Sequence, residues 1–415
     1  MKAKNFLIKF LNKIDDTRVS FGFEIQFPDS TKYIFEDHPI HFKIFFKNEE
    51  SLNDFVSRGN MAFAEHYIAQ NIEIEGDFYY IAYLGLLIEQ QGLKPNLWEK
   101  LKIFYHFLTH KNTLKGSKKN ISHHYDLGND FYSLWLDKNM QYTCAYFKTP
   151  KDTLEEAQIQ KMDLICKKLQ FKKNDFVVEA GCGWGGFAIY AVKNYGIKMR
   201  AYNISKEQIE YAKEWQKKEK IPESQLEFIL DDFRNIAKDA NTYDKFVSVG
   251  MLEHLGVENY ETLFDIIYKK IHQKGLALIH TISRAYPKMQ DPWVNKYIFP
   301  GGYIPSLGEI IVPLEKYIKS SKTPNYFYIM DIENLKYHYA LTLDRWSERF
   351  EKNVKTIRKK YGESFVRMFR MYLRGSSSGF REGELTLLQI ILQKNTNPNY
   401  PLTRSHFLIE NKTKV

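Results

Sequence analysis

The 415-residue chain contains little cysteine and no long apolar run. Its three cysteines, Cys144, Cys166 and Cys182, form no CxxC pair and no His/Cys cluster with zinc spacing. This scarcity excludes a disulfide-stabilised scaffold, predicts no metal site and fits a reducing compartment. The longest nearly apolar run, Tyr79–Ile88, has about half the length of a membrane-spanning helix. We therefore expect a cytoplasmic protein that lies, at most, peripherally on the inner face of a membrane.

Aromatic residues and positive charge, by contrast, are abundant. The 30 Phe, 28 Tyr and 6 Trp residues make up 15% of the chain, enough rings to line a large apolar cavity. An aromatic-rich core is the simpler explanation for them. The 60 basic residues outnumber the 50 acidic ones, which gives a net charge of +10. This excess predicts an anionic partner, either nucleic acid or a membrane surface, and does not choose between them.

Changes in composition and hydrophobic pattern along the sequence predict three regions. Residues 1–93 alternate short strand-like pieces with a helix from Ser51 to about Ile68, typical of a small α+β domain. Residues 94–121 form a basic linker with Leu and Phe at helical spacing. Such a helix can lie among lipid headgroups, although a solvated linker helix has the same pattern. Residues 122–415 carry every recognisable chemical motif.

Strands and helices alternate from about Asp175 onward. This alternation predicts an α/β fold with a mostly parallel sheet and right-handed crossovers. The predicted strands are 175–180, 197–204, 226–230, 243–250 and 275–283, and the predicted helices between them are 187–194, 206–218 and 260–272. Helices at about 343–360 and 365–373 and an apolar segment, LTLLQIILQ, follow toward the end of the chain.

A glycine-rich loop, Gly181–Gly186, follows the first predicted strand of this region and opens a helix. Glycines at such a turn let a ligand approach backbone N–H groups. The spacing fits both a dinucleotide and S-adenosylmethionine, but Asn203–Ser205, which end the second strand, include no acid for a nicotinamide ribose. Asp231 and Asp232 follow the third strand, where an adenosine needs a polar contact. The pattern favours S-adenosylmethionine, with a nicotinamide cofactor or a turn needed only for packing as alternatives.

Six separated blocks of the chain resemble, in family order, the cyclopropane-fatty-acyl-phospholipid synthases, which include the mycolic acid cyclopropane synthases. The blocks are HHYDLGNDFYSLWLDKNMQYTCAYF (123–147), VVEAGCGWGGFAIYA (177–191), SVGMLEHLG (248–256), HTIS (280–283), PWVNKYIFPGGYIP (292–305) and HYALTLDRWSERF (338–350). The resemblance covers roughly residues 122–393. The N-terminal part is only weakly similar to the extra lipid-facing domain of the bacterial phospholipid enzymes.

The resemblance implies a class I methyltransferase, with a Rossmann-like, mostly parallel sheet and a helical lid. It implies transfer of a methylene, drawn from the methyl of S-adenosylmethionine, across a cis double bond of an unsaturated acyl chain in a phospholipid. The expected product is a cyclopropane fatty acid. A bicarbonate ion at the reacting carbon, an anionic membrane surface as partner and a homodimer are further expectations.

Carried over position by position, the resemblance assigns two sets of residues. The donor is expected to contact Tyr142, Thr143, Glu179, Gly181, Cys182, Gly183, Gly185, Gly186, Asn203, Ile204, Ser205, Gln208, Asp232 and Phe233. The bicarbonate is expected to be held by Cys144, Glu253, His280, the backbone of Ile282 and Tyr339. One departure is Ser376, which stands where the family often has a cysteine.

These residue types suit the implied chemistry. Attack of an alkene on the sulfonium methyl leaves a carbocation that water would quench, so the site must exclude water. Aromatic faces stabilise such a cation by about 0.5–2 kcal/mol each. Ring closure then removes a proton from the added methyl. Because burial raises the pKa of a carboxyl, Glu253 and bicarbonate are expected to share a proton while His280 and Tyr339 orient the ion.

The sequence also permits structural roles or other activities for the same residues. Glu253 and His254 could cap the following helix, His280 could be an ordinary core histidine, and Tyr339 an ordinary lid residue. A related C-methyltransferase that produces methyl-branched acyl chains would keep the same fold. A nucleic-acid-binding methyltransferase would use the positive charge, but the sequence has no RRM, KH or zinc signature. We expect no nucleic-acid partner.

Overall fold

The computed structural model describes residues 2–15, 18–36, 38–91, 127–320 and 326–408. Their contacts divide the chain into two compact units. The first contains the described residues up to Gln91, together with Asp291–Ile298 and Ala340–Glu384, and the second contains the remainder. The predicted continuous domain over 122–415 therefore does not coincide with either unit. The predicted basic linker, 94–121, lies outside the described residues.

The first unit is built on a four-stranded sheet in the order β2-β1-β3-β4. Its strands are β1 (Gly22–Gln26), β2 (Lys32–Phe35), β3 (Ile40–Phe46) and β4 (Ile72–Gly76). β1 pairs parallel with β3 and antiparallel with β2, and β3 pairs antiparallel with β4. Phe23 stacks on Phe35 and Phe42 with ring centroids 5.3 Å apart, so aromatic pairs across the strands fix the sheet. The expected N-terminal α+β region is confirmed.

The helices of the first unit come from both ends of the chain. They are Lys2–Leu11, Glu49–Arg58, Asn60–Ile68, Phe78–Gln90, Pro292–Tyr297, Lys336–Lys352 from Ala340 onward, Val354–Tyr361 and Glu363–Arg381. The prediction of one helix from Ser51 to Ile68 is wrong, because Gly59 adopts a φ of 65° and ends the first helix. The predicted helix over 343–360 is likewise two helices, separated at Asn353.

Arg374 links the late helices of this unit to its N-terminal part. Its guanidinium donates to both carboxylate oxygens of Asp77, at 2.8 and 2.6 Å, and also bonds Asp344. A bidentate pair of this kind fixes orientation as well as distance. This ion pair is one reason why helices far along the chain belong to the same unit as residues near its start.

The second unit is built on a seven-stranded sheet in the order β10-β11-β9-β8-β5-β6-β7. Its strands are β5 (Phe176–Ala180), β6 (Lys198–Asn203), β7 (Leu226–Leu230), β8 (Tyr243–Val249), β9 (Ile271–Arg284), β10 (Phe327–Asn334) and β11 (Leu385–Lys394). β5 to β9 run parallel, whereas β11 runs antiparallel to both β9 and β10. The predicted mostly parallel sheet is confirmed, and the apolar segment LTLLQIILQ is β11.

Helices cover both faces of this sheet, as a parallel sheet requires. They are Asn129–Ser133, Leu154–Lys168, Gly186–Tyr195, Lys206–Lys218, Tyr260–Lys270, Leu307–Ser320 and Ser405–Leu408. Two clusters of buried apolar side chains form the core. One includes residues of Leu154–Lys168, Gly186–Tyr195 and Lys206–Lys218, and the other includes residues of Tyr260–Lys270 and Leu307–Ser320.

The helix Leu154–Lys168 begins at a complete capping box. Thr153 accepts a hydrogen bond from the backbone N–H of Glu156, whose side chain accepts from the backbone N–H of Thr153. This helix carries two buried lysines, Lys161 and Lys168. Across the described ranges, no helix combines the length and the apolar character needed to cross a bilayer.

Candidate active site

A cleft lies at the carboxyl ends of the parallel strands β5, β6 and β8, where the chain turns into helices or loops. Ligands of open α/β sheets bind at this edge, because the loops after neighbouring strands diverge there. The cavity has a volume of about 1030 Å³, including its open mouth. Its lining includes loop residues after β5, β6, β7 and β8 and the segment Met140–Thr143. The cleft is therefore assembled from five separate stretches of the second unit.

The glycine-rich loop forms one wall of the cleft. The backbone N–H groups of Gly181 and Cys182 both donate to the carbonyl of Tyr202, at 2.9 and 3.0 Å, which ties the loop to β6. Gly185 has a φ of 83°, and a Cβ there would lie 2.6 Å from the ring of Phe228. A Cβ on Gly186 would lie 2.1 Å from the carbonyl oxygen of Asn139. These two glycines allow close packing behind the loop and do not line the cavity.

Most of the predicted donor-binding residues line this one cleft. They are Tyr142, Thr143, Glu179, Gly181, Cys182, Gly183, Asn203, Ile204, Gln208, Asp232 and Phe233. Three others do not line it: Gly185, Gly186 and Ser205. Ser205 instead caps the helix Lys206–Lys218 by accepting from the backbone N–H of Gln208. The predicted donor contacts of all fourteen residues remain predictions.

Two carboxylates of different character line the cleft. Glu179 is buried at the end of β5, its Oε2 has no hydrogen-bond partner among the described residues, and burial raises the pKa of its carboxyl. Asp232 accepts from Arg234 Nε at 2.8 Å and from Arg234 Nη2 at 3.0 Å. The cleft thus offers a protonatable carboxyl, with one oxygen that has no partner among the described residues, and an ion-paired carboxylate.

Glu253 lies in a short 3₁₀ turn after β8 and is only 8% exposed. Its Oε1 accepts from the backbone N–H of Ile282 at 2.5 Å, whereas its Oε2 has no partner among the described residues. Burial raises the pKa of this carboxyl to about 7. Neither the turn Val257–Asn259 nor the helix Tyr260–Lys270 has a side-chain cap hydrogen bond, so the capping alternative is wrong. The backbone N–H of Ile282, expected to hold bicarbonate, binds Glu253 here.

A chain of backbone contacts brings Cys144 and Tyr339 to the same neighbourhood. The carbonyl of Leu335 accepts from the backbone N–H of Tyr339 at 3.1 Å and lies 3.9 Å from Cys144 Sγ. Leu335 N–H donates to the carbonyl of Leu387 at 2.7 Å, and Leu387 pairs directly with Ile282 across β11 and β9. Residues far apart in the sequence thus converge around the end of β9.

His280 is 1% exposed and lies on β9, two residues before Ile282. Its Nδ1 is 3.1 Å from Gln389 Nε2 on β11, and its Nε2 has no hydrogen-bond partner among the described residues. Burial, with Lys161 and Lys168 nearby, lowers the pKa of the imidazole well below its usual value. His280 is therefore neutral at physiological pH. None of the five predicted bicarbonate residues lines the donor cleft itself.

Sequence reasoning missed several residues of this region. Gln141, Trp184 and His254 line the cleft, and burial lowers the pKa of His254 to about 4. Lys161 lies beneath the cleft, fully buried, and donates to Gln141 Oε1 at 2.5 Å and to Thr143 Oγ1 at 3.0 Å. A lysine among the apolar positions of a helix is the one signal that could have indicated it.

The fold and the cleft are those of a class I S-adenosylmethionine-dependent methyltransferase. A family model described as mycolic acid cyclopropane synthetase matches residues 112–390. The chain belongs to this family. A second family model, described as a domain of unknown function, matches residues 8–85.

Known relatives agree with this assignment. The chain is 34% identical over 360 residues to the cyclopropane-fatty-acyl-phospholipid synthase of Escherichia coli (strain K12), covering 86% of this chain and 89% of the relative. It is 34% identical over 280 residues to a probable fatty acid methyltransferase of Pseudomonas putida, covering 66% and 68%. The solved structure of mycolic acid cyclopropane synthase CmaA1 complexed with SAH and CTAB superposes with a TM-score of 0.60 at 29% identity, covering 66% of this chain and 98% of the other.

Proposed function

We propose that this enzyme transfers a methylene from S-adenosylmethionine across a cis double bond of an unsaturated phospholipid acyl chain to give a cyclopropane fatty acid. The observation that carries the proposal is Glu253, a buried carboxyl with a pKa of about 7 and one oxygen without a hydrogen-bond partner among the described residues. A group that can gain or lose a proton near neutral pH in a dry site is what ring closure requires. The similarity to the Escherichia coli phospholipid enzyme supports this choice of substrate.

The reaction places specific demands on the site. The alkene carbon bonds to the donor methyl as the carbon–sulfur bond breaks, which leaves S-adenosylhomocysteine and a carbocation. Loss of a proton from the added methyl then frees the electron pair that closes the ring. The protein must hold the donor methyl against the alkene, exclude water from the site and receive the proton.

The five residues fit a bicarbonate ion beside Glu253. Two buried atoms of the set, Glu253 Oε2 and His280 Nε2, have no hydrogen-bond partner among the described residues, and such atoms are rare unless a ligand or water completes them. Cys144, Glu253, His280 and Tyr339 would hold the ion, with the Ile282 N–H shared with Glu253. When bound, bicarbonate supplies a small base for the proton. Glu253 would share a proton with the ion, and the neutral His280 would orient it.

The donor cleft offers a reason for the buried Lys161. An ammonium only donates, so Thr143 Oγ1 accepts from Lys161 and must direct its own hydrogen elsewhere. Thr143 lines the cleft, and its hydroxyl therefore presents a donor to the ligand. We place the methionyl carboxylate of S-adenosylmethionine here and its adenosine near Asp232. Lys161 adds a positive charge beneath the carboxylate.

Replacing Lys161 with methionine should lower the affinity for S-adenosylhomocysteine about tenfold, because the charge beneath the carboxylate is removed and Thr143 Oγ1 is no longer held as a donor to it. Binding of 5′-methylthioadenosine, which lacks the methionyl end, should not change. Isothermal titration with both ligands measures the difference. Lys167→Met is the matched control, since Lys167 pairs with Asp163 on the same helix. Equal losses for the two ligands would contradict the assignment and indicate a general disturbance of the fold.

The lipid is expected to come from an anionic membrane surface. The basic segment 94–121 is our candidate for contact with such a surface, at the cytoplasmic face, and its helical pattern suits a headgroup layer. A homodimer is the expected assembly. These three points rest on the sequence and the family resemblance.

A second candidate, formation of a methyl-branched chain, uses the same carbocation. The similarity to the probable fatty acid methyltransferase of Pseudomonas putida favours it. In that reaction a proton leaves the acyl backbone instead of the added methyl. A carboxyl positioned at the added methyl, as we place Glu253, favours the ring.

Expression of the protein in a host with unsaturated phospholipids tests the proposal. The acyl chains should gain one CH₂ each and lose the double bond, as measured by gas chromatography with mass spectrometry. Cells that express the Glu253→Gln variant at the same level are the control. Unchanged acyl chains in cells that hold folded, donor-binding enzyme would reject the proposed function.

A further inference from the structure

The second unit contains a buried polar contact between β9, β11 and the helix Leu154–Lys168. Gln389 pairs directly with His280 across the two strands, and its Nε2 is 3.1 Å from His280 Nδ1. On its other side, Gln389 Oε1 is 2.7 Å from Lys168 Nζ. All three side chains are buried. Packing alone does not explain three buried polar side chains that contact one another in series.

The orientation of the Gln389 amide follows from Lys168. An ammonium has three donors and no acceptor, so it must face the amide oxygen and not the amide nitrogen. Glu333 also bonds Lys168 Nζ, and Asp331 lies 3.9 Å from it. Burial lowers the pKa of Lys168, and these two carboxylates oppose that shift and favour the charged form of the lysine. With its oxygen held by Lys168, Gln389 turns its NH₂ group toward His280.

The tautomer of His280 follows in turn from Gln389. The NH₂ group donates, so His280 Nδ1 must accept and carries no hydrogen. The single proton of the neutral ring is then on Nε2, the atom without a hydrogen-bond partner among the described residues. That N–H lies two residues before Ile282, whose backbone N–H binds Glu253. A buried donor without an acceptor, two strand residues from the backbone group that binds Glu253, is a site for an acceptor on a ligand.

We propose that Lys168 and Gln389 are positioning residues that fix His280 as the Nε2–H tautomer, so that it donates a hydrogen bond to the acceptor held beside Glu253. This role rests on the proposed function, since the acceptor is the base that serves ring closure. The line from Lys168 through Gln389 to His280 carries no proton itself. These contacts determine which ring nitrogen of His280 carries the proton. Hydrogen bonds to the other ring nitrogen do the same for many active-site histidines.

The substitution Gln389→Glu replaces the NH₂ group that faces His280 with an oxygen and leaves the side-chain size unchanged. A carboxylate accepts from both neighbours, so His280 Nδ1 would have to carry the hydrogen. Long-range ¹⁵N–¹H correlation spectra of histidine-labelled enzyme, without substrate, distinguish the two tautomers, and His280→Asn identifies the signal. We expect the Nε2–H form in the wild type and the Nδ1–H or cationic form in Gln389→Glu. Gln393→Glu is the matched control, a buried glutamine on the same strand whose NH₂ donates to Asn395.

Turnover provides the second readout. Gln389→Glu and Lys168→Met should lower turnover about 10- to 100-fold, with little change in S-adenosylhomocysteine affinity. An Nδ1–H tautomer in the wild type overturns the proposal, whether or not any variant folds. A reversed tautomer with wild-type turnover also overturns it, because the orientation would then serve no step. The first result is read without lipid and the second requires an active enzyme, so both are distinct from a failure of the proposed reaction.

Discussion

The Glu253→Gln variant is expected to turn over about 10² to 10⁴ times more slowly than the wild type, while its affinity for S-adenosylhomocysteine stays nearly the same. The amide oxygen of glutamine can still accept from the Ile282 N–H, so the local fold is retained. Glutamine cannot share or receive a proton, so deprotonation of the added methyl loses its partner. Steady-state kinetics and isothermal titration on the same preparation measure the two quantities.

Glu258→Gln is the matched control for this variant. Glu258 lies on the next short turn of the chain and is exposed, so the same chemical change there should alter neither quantity. Loss of S-adenosylhomocysteine affinity in Glu253→Gln would place the residue in the donor site. Wild-type turnover would remove it from the proton transfer altogether.

Glu253→Gln should also gain stability relative to the wild type as the pH rises. Burial raises the pKa of Glu253 from 4.5 to about 7 in the folded chain, so between these values the folded state holds a proton that the unfolded state has lost. Stability of the wild type therefore falls as pH rises through this window, and the loss is complete above pH 7. Glutamine does not titrate. The free energy of unfolding of Glu253→Gln, relative to wild type, should rise by about 2–3 kcal/mol between roughly pH 5 and pH 8.

Urea unfolding at both pH values, followed by circular dichroism, measures this difference. Glu258→Gln should show no such pH-dependent gain. If Glu253→Gln tracks the wild type at both pH values, the carboxyl is solvated in the folded enzyme. That result would remove the dry environment on which the carbocation depends.

Local patterns predicted much of the second unit. The strand Leu226–Leu230 and the helix Lys206–Lys218 agree with their predicted bounds, and the other four predicted strands overlap β5, β6, β8 and β9. These elements are strongly periodic and separated by clear turns. The glycine loop adds a local sequence motif that is recognisable without its packing partners. Where the signal is local, the sequence is sufficient.

Other elements depend on contacts that no local pattern records. The two helices on either side of Gly59 read as one, because an isolated glycine in a helical pattern does not reveal its φ. The short run LTLLQIILQ has no period that separates strand from helix, and only its pairing with β9 and β10 makes it β11. β4, β10 and the helix Leu154–Lys168 were not predicted.

The site divides in the same way. Residues of contiguous motifs, such as Gly181 and Asn203, were named from the sequence and line the cleft. Lys161, Lys168 and Gln389 were not named, because a buried lysine looks like a surface residue until its partners are known. Lys168 and Gln389 are 221 residues apart in the chain. The role of a polar residue inside a core can be assigned only when such partners, distant in the sequence, are known.

The fate of the hydrogens on the donor methyl tests the central claim most directly. With S-adenosylmethionine that carries a trideuterated methyl, removal of a proton from the added methyl leaves two deuterium atoms in the product. We therefore predict a saturated, ring-containing acyl chain that retains two deuterium atoms, as measured by mass spectrometry and NMR. A branched product that retains all three would show that the proton leaves the acyl backbone, and would contradict the role assigned to Glu253.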